Sequence, residues 1–325
     1  MDIYSISEPV IKVSRFLGIL PFSINENKLE YSKFWIIYSI FWFINLLCGL
    51  TCFIYFEFKF GENTMSMNYF SSIVVIGFFV LVVCTIQIMC LVNGRRTIKI
   101  IKNIHVISKQ IEKKQTDYIY FQLVFSQLFA LILAFIGNVN MSFEYLVDRD
   151  IYEIVLYAYA MSAICLALVT LWSADSHFIC LIIIILQFFS HLNTNLKNSF
   201  ISNCSTTLKS STIKLSTKTS ECKVLLMDST SKKRISELRY LHGRLCDVSQ
   251  YINKTYSLQI LLSMIVTFLQ ITWFLYSIFL LVFSPQFVEK VFNMKYCLIF
   301  ILFWILLLIM KIVTILLTCS STSEK

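Results

Sequence analysis

Six stretches of this chain are apolar for about twenty residues each, the length one helix needs to cross the hydrocarbon of a bilayer. They cover residues 34–56, 69–92, 118–138, a long run from 151, 257–283 and 296–318. A backbone surrounded by lipid must satisfy its own polar groups, which leaves helices or closed barrels. Seven glycines and three prolines in 325 residues leave these runs uninterrupted, so helices are expected. Charged residues make up 14% of the chain, against about 25% in a soluble domain. That is too few to cover a soluble surface. The expected fold is an all-α integral membrane protein with six transmembrane helices.

The basic residues set the orientation. Four Lys or Arg precede residue 34, seven lie between 93 and 117, and eleven lie between 193 and 256. The opposite loops hold Lys59, Arg149, Lys290 and Lys295. Lys and Arg concentrate on the cytoplasmic side of membrane proteins, so the N-terminus is expected there. The net charge of +9 is accounted for in this way, and no nucleic acid is expected as a partner. Residues 1–33 then form a cytoplasmic tail, 193–256 a basic cytoplasmic loop and 320–325 a second tail. Residues 34–192 carry the first four spans and 257–319 the last two. No compact apolar core beside a cleavage site precedes residue 34, so the first span is expected to act as an uncleaved insertion signal.

Two spans carry charge. The apolar character of residues 151–192 is broken at Asp175 and His177. As one helix they would reach about 63 Å, twice the hydrocarbon thickness. Splitting them would put the eleven-charge loop outside, so one helix extended into the cytoplasm is expected. In the sixth span Lys311 costs about 3 kcal/mol, and the surrounding Leu, Ile, Phe and Val contribute about −4 to −8 kcal/mol. The span still inserts, with Lys311 expected to snorkel to the interface. After the fourth span, the Ser, Thr and Lys-rich residues 195–236 read as flexible. Residues Ile235, Leu238, Leu241, Leu245, Val248 and Ile252 then follow helical spacing and predict an amphipathic helix leading into the fifth span.

The chain holds no nucleotide loop, no dinucleotide fingerprint and no catalytic triad spacing. Catalysis, a resident metal and a cofactor are not expected. The eleven cysteines lie in spans or in the basic loop, where free thiols are expected. Asn140 begins a glycosylation sequon on the expected outer face, while the sequons at Asn203 and Asn253 fall on the cytoplasmic side. Buried carboxylates are sparse for a proton-coupled transporter. Aromatic residues are abundant, and Phe135, Tyr157, Trp273, Tyr276 and Trp304 lie in the outer half of the bundle. An aromatic wall of that kind suits a small organic ligand.

The segment 238–262, LRYLHGRLCDVSQYINKTYSLQILL, resembles the insect gustatory receptor family at Leu241, His242, Leu245, Ile252, Asn253, Tyr256, Ile260 and Leu261. Cys319, Ser320, Thr322 and Glu324 are similar to the start of that family's next cytoplasmic loop. The resemblance implies a multi-pass receptor of the cell membrane, a tetrameric ligand-gated cation channel opened by a small tastant. It also implies a seventh helix with Thr-Tyr, five apolar residues and Gln-Phe. Thr255-Tyr256 does not match that motif, and six residues follow Cys319. On this reading the chain inserts into a membrane but does not conduct alone. A G-protein-coupled-like receptor or a transporter are the alternatives.

Overall fold

The structure, a computed structural model, describes residues 11–25, 28–61, 67–110, 129, 150–212, 229–283 and 294–323. Five long helices carry the described chain: α1 (Lys33–Gly61), α2 (Met67–Gln110), α3 (Ile151–Thr212), α4 (Ser229–Phe283) and α5 (Met294–Ser323). Each contains a segment long and apolar enough to cross a membrane. The predicted span at 118–138 lies outside the described residues, apart from Phe129, which is helical and exposed. The described part is therefore nearly all-helical, with five candidate membrane-spanning helices, as a multi-pass membrane protein would have.

The outer surface of the bundle is apolar. On α1, Phe34, Ile37, Phe41 and Ile44 are exposed at a helical spacing of three and four. On α5 the same holds for Ile299, Leu302, Leu306, Ile309, Val313 and Leu316. In water such stripes would drive aggregation, and in a bilayer they are the lipid-facing surface.

Helix α3 is the axis of the bundle and touches each of the other four helices. It runs unbroken for 62 residues, straight through Asp175 and His177. It also continues to Thr212, into the Ser and Thr-rich stretch expected to be flexible, and α4 begins at Ser229 within that same stretch. Helix propagates there from packed side chains, because Leu192 is buried and Leu196 packs against the core. The segment 235–252 is continuous with the fifth predicted span as one helix, α4.

Small residues let α1 approach α3 closely. Ala160, Ala163 and Ala167 are buried on α3, and a methyl added at Gly49 of α1 would collide with the Ala163 side chain. Small residues at an interface let helix backbones approach closely, and the resulting van der Waals packing is one of the forces that associate helices in lipid. One turn away, the Tyr159 hydroxyl donates to Asn45 Oδ1 at 2.7 Å across the same interface.

Residues 11–32 are packed against one end of the bundle rather than free as a tail. We call this the basic end, since the Lys- and Arg-rich segments gather there. Residues 11–16 are helical, and β1 (Phe22–Asn25) pairs antiparallel with β2 (Lys28–Tyr31), with Phe22 opposite Tyr31. Ile11, Leu17, Ile19, Leu20 and Phe22 are almost fully buried. The segment is pinned by polar bonds at its turn. Tyr38 Oη and Trp42 Nε1 both donate to the Phe16 carbonyl at 2.8 Å, and Ser14 Oγ lies 3.0 Å from Ser173 Oγ.

Gly18 makes this turn with φ +69°, and a side chain there would also collide with Trp42. Gly18→Ala is expected to lose about 1–2 kcal/mol to the left-handed backbone alone, with the collision in addition. Gly77→Ala is the control, because open space surrounds Gly77 within α2. It should leave stability unchanged or raise it by up to about 1 kcal/mol. Thermal denaturation in detergent checks both, and equal midpoints for the two variants would refute the turn's importance.

Candidate functional site

Polar side chains gather along the inner face of α4. The adjacent pair Thr255 and Tyr256 is followed at three- and four-residue steps by Gln259, Ser263 and Thr267, and all five are less than 5% exposed. On the opposite face Leu258, Leu261, Ile265 and Phe268 look outward. Helix α4 is thus amphipathic in the inverted sense, polar inside and apolar outside, as a helix in lipid should be when its polar groups have partners. The partners come from α2 (Cys90, Asn93, Thr97), α3 (Ser173 to His177) and α5 (Lys311).

Lys311 is the centre of this core. Its Nζ lies 2.7 Å from Asp175 Oδ2, with the two side chains 7% and 3% exposed. The ammonium also donates to Ser263 Oγ at 3.0 Å and Thr267 Oγ1 at 3.1 Å. All three of its protons therefore have acceptors. Ser263 in turn donates to Asp175 Oδ2 at 2.6 Å, and Thr267 donates to the Ser263 carbonyl at 2.7 Å. The expectation that Lys311 snorkels is thus corrected. Lys311 falls in the buried stripe of α5 with Ile301, Trp304, Ile305, Leu308 and Ile315, so its stem points at α3 and α4 rather than along the lipid surface. An ion pair with further hydrogen bonds is the arrangement that makes such charges tolerable in a low dielectric.

Toward the basic end the polar core continues. The Tyr256 hydroxyl lies 3.2 Å from His177 Nδ1 and 3.1 Å from Thr97 Oγ1. Gln259 Nε2 donates to the Ala174 carbonyl at 3.3 Å, and Cys90 Sγ donates to Gln259 Oε1 at 3.5 Å. Asn93 Nδ2 donates to the Thr255 carbonyl at 3.5 Å. A cavity of about 10 Å³ sits among these groups, capped by Ile19 and Leu20 of the N-terminal segment. It has room for about one water molecule. An organic ligand needs roughly 300 Å³ or more, so the cavity is not a ligand pocket.

The aromatic residues singled out in the sequence are placed as follows. Phe135 and the sequon at Asn140 lie outside the described residues. Tyr157 on α3 and Trp304 on α5 are buried, while Trp273 on α4 is half-buried and Tyr276 is 38% exposed. All four lie toward the end opposite the N-terminal segment, on three helices that pack together. The site that sequence reasoning missed is the polar core. Asp175 and Lys311 were visible singly, and the three-and-four spacing of polar residues along α4 was the signal that could have joined them. Among the described residues no group of His, Cys, Asp or Glu side chains is placed to hold a metal ion.

A multi-pass helical bundle with an apolar exterior and a polar interior is an architecture shared by receptors, channels and transporters, and sequence comparison separates them. No curated protein matches the chain. The family described as 7tm Chemosensory receptor matches residues 8–325, which is nearly the whole chain. The chain therefore belongs to the 7tm Chemosensory receptor family, whose members are receptors in membranes.

Proposed function

We propose that this chain is a gustatory-type chemoreceptor of the cell membrane. It acts as a subunit of a tetrameric, ligand-gated cation channel, and a small organic tastant binds among the outer halves of its helices. The match to a chemosensory receptor family over residues 8–325 is what supports the reading most. The ligand wall is formed by Tyr157, Trp273, Tyr276 and Trp304, with Phe135 contributed by the segment outside the described residues. Aromatic faces supply most of the contact area for such ligands. The test is calcium entry in cells expressing the chain, alone and with a related receptor subunit, under a panel of sugars and bitter compounds. Ion-gradient-driven uptake of a panel compound without current would overturn the proposal.

Tyr276 offers the sharpest probe of the wall. It is exposed enough for Tyr276→Ala to leave folding nearly intact, whereas Trp304→Ala removes a buried ring at a cost of about 3–5 kcal/mol. Tyr276→Ala is expected to shift the half-maximal ligand concentration by about tenfold, as losing roughly 1.4 kcal/mol of contact would. Surface expression should stay near that of the parent. An unchanged dose response would move the pocket elsewhere.

The basic end faces the cytoplasm in this reading. The asymmetry of Lys and Arg between the two sides supports it. Epitope tags placed before residue 11 and between 213 and 228 should then stain only after permeabilisation, and a glycosidase should shift the parent but not Asn140→Gln. Staining of intact cells at either tag would reverse the orientation.

A further inference from the structure

One face of α2 changes its chemistry along its length. Val74, Phe78, Leu81, Ile88 and Val92 are exposed at helical spacing and form its lipid-facing stripe. Arg95, Lys99, Lys102 and Lys109 continue that same stripe, and all four are exposed. The 44 residues of α2 include no Asp or Glu. Among the described residues no carboxylate pairs with any of these four cations.

The level of the bilayer surface is marked independently. Tyr31, Trp35, Tyr38 and Trp42 gather around the start of α1, with Trp35 and Tyr38 edge to face and Tyr38 beside Trp42. Tyr and Trp concentrate where a membrane meets water. The Tyr31 hydroxyl donates to the Leu91 carbonyl at 3.1 Å. The aromatic level therefore meets α2 where its lipid-facing stripe turns cationic.

Two rings order the first cations. The Arg95 guanidinium carbon lies 5.9 Å from the centre of the Tyr31 ring, and Lys99 Nζ lies 5.7 Å from that of Tyr251. A neutral ring attracts a cation without cancelling its charge. Arg95 and Lys102 are seven residues apart, about 10 Å along the helix axis, so the charges stack along the membrane normal. The headgroup layer is about 5–7 Å deep on each side. Side chains on a helix lean toward its N-terminus, which for α2 is toward the bilayer, and this brings Lys99 and Lys102 back to that layer. Lys109 lies about 21 Å beyond Arg95 and is out of reach. A headgroup with one charge meets one level of this stack. A headgroup that projects several phosphates outward meets three.

We propose that Arg95, Lys99 and Lys102 bind the headgroup of a polyphosphorylated inositol lipid in the leaflet at the basic end, with its acyl chains along Ile88 and Val92. Charge complementarity and the unbroken run from the lipid-facing stripe into the cations favour a lipid over a second protein. The site does not depend on which ligand the receptor takes or on whether the chain conducts. In detergent it does not depend on which side the basic end faces.

The experiment measures binding of water-soluble dioctanoyl lipids to the purified full chain in neutral detergent. Each basic residue near an anionic surface is worth about fivefold in binding. Phosphatidylinositol bisphosphate should bind about twenty-five-fold more tightly than phosphatidylserine, because it meets two more cations. Arg95→Gln and Lys99→Gln should each weaken it by about fivefold, and the double variant by about twenty-five-fold. Lys109→Gln removes the same charge from the same face and should bind like the parent. Free inositol trisphosphate should bind more weakly than the lipid, since it has no chains to bury against Val92. Equal weakening by Lys109→Gln would mean diffuse attraction and would overturn the proposal. So would equal binding of the two lipids, parental affinity in the double variant, or free trisphosphate binding as tightly as the lipid. The substituted residues are exposed, so thermal midpoints without lipid should match the parent. If the double variant does not, the single variants against Lys109→Gln decide.

Discussion

Lys311→Asp should abolish delivery of the protein to the cell surface. The change sets two carboxylates against each other where an ammonium and a carboxylate now lie 2.7 Å apart, with side chains 7% and 3% exposed. Removing one partner of a buried pair costs about 3–5 kcal/mol, and replacing it with a like charge costs more. Ser263 would lose a donor as well, since it now accepts from Lys311 while donating to Asp175. Native proteins hold only about 5–15 kcal/mol of net stability, so this single change consumes much of it. The exchanged pair Asp175→Lys/Lys311→Asp restores opposite charges at the same place and should recover part of the surface population. Surface biotinylation measures both, and normal delivery of Lys311→Asp would mean the pair is not formed in the membrane.

A second large effect is expected where no charge is involved. Gly49→Leu should separate α1 from α3, because even one methyl at position 49 meets the Ala163 side chain. Overpacking of this kind typically costs about 1–3 kcal/mol, and an isobutyl group lies at the upper end. It would also strain the Tyr159 to Asn45 hydrogen bond one turn away. The smaller change Gly49→Ala should be relieved by Ala163→Gly, which removes the atom it strikes. A thermal midpoint in detergent lower by several degrees for Gly49→Ala, and restored in the double variant, is the expected pattern. Failure of Ala163→Gly to restore it would place the clash elsewhere.

These effects also mark what could be read from sequence. Five of the six expected spans coincide with described helices, and they were legible because hydropathy averaged over about twenty residues is a local property. The continuity of α3 past Asp175 followed from charge bookkeeping, and the structure runs straight through both polar residues. The pairing of Asp175 with Lys311 was not legible, because it depends on how α3 and α5 pack, and nothing local to either residue carries that information. Averaging also hid the polar face of α4. Thr255, Tyr256, Gln259, Ser263 and Thr267 are diluted by Leu258, Leu261, Ile265 and Phe268, so a window sees only an apolar span. The N-terminal segment escaped for a similar reason. Its apolar residues come in ones and twos, and its anchors, such as Ser173 opposite Ser14, lie far along the chain.

The Asp175 to Lys311 pair also fixes an order of events during synthesis. Asp175 leaves the ribosome roughly 140 residues before Lys311, and translation at about 5–20 residues per second makes that a gap of roughly seven to thirty seconds. Throughout that time Lys311, its partner in the folded bundle, is absent. Ser263 arrives part-way and offers only a hydroxyl. The fourth span therefore lacks this counter-charge until the last described helix brings it. Helix α5 is thus the element whose arrival completes the buried pair.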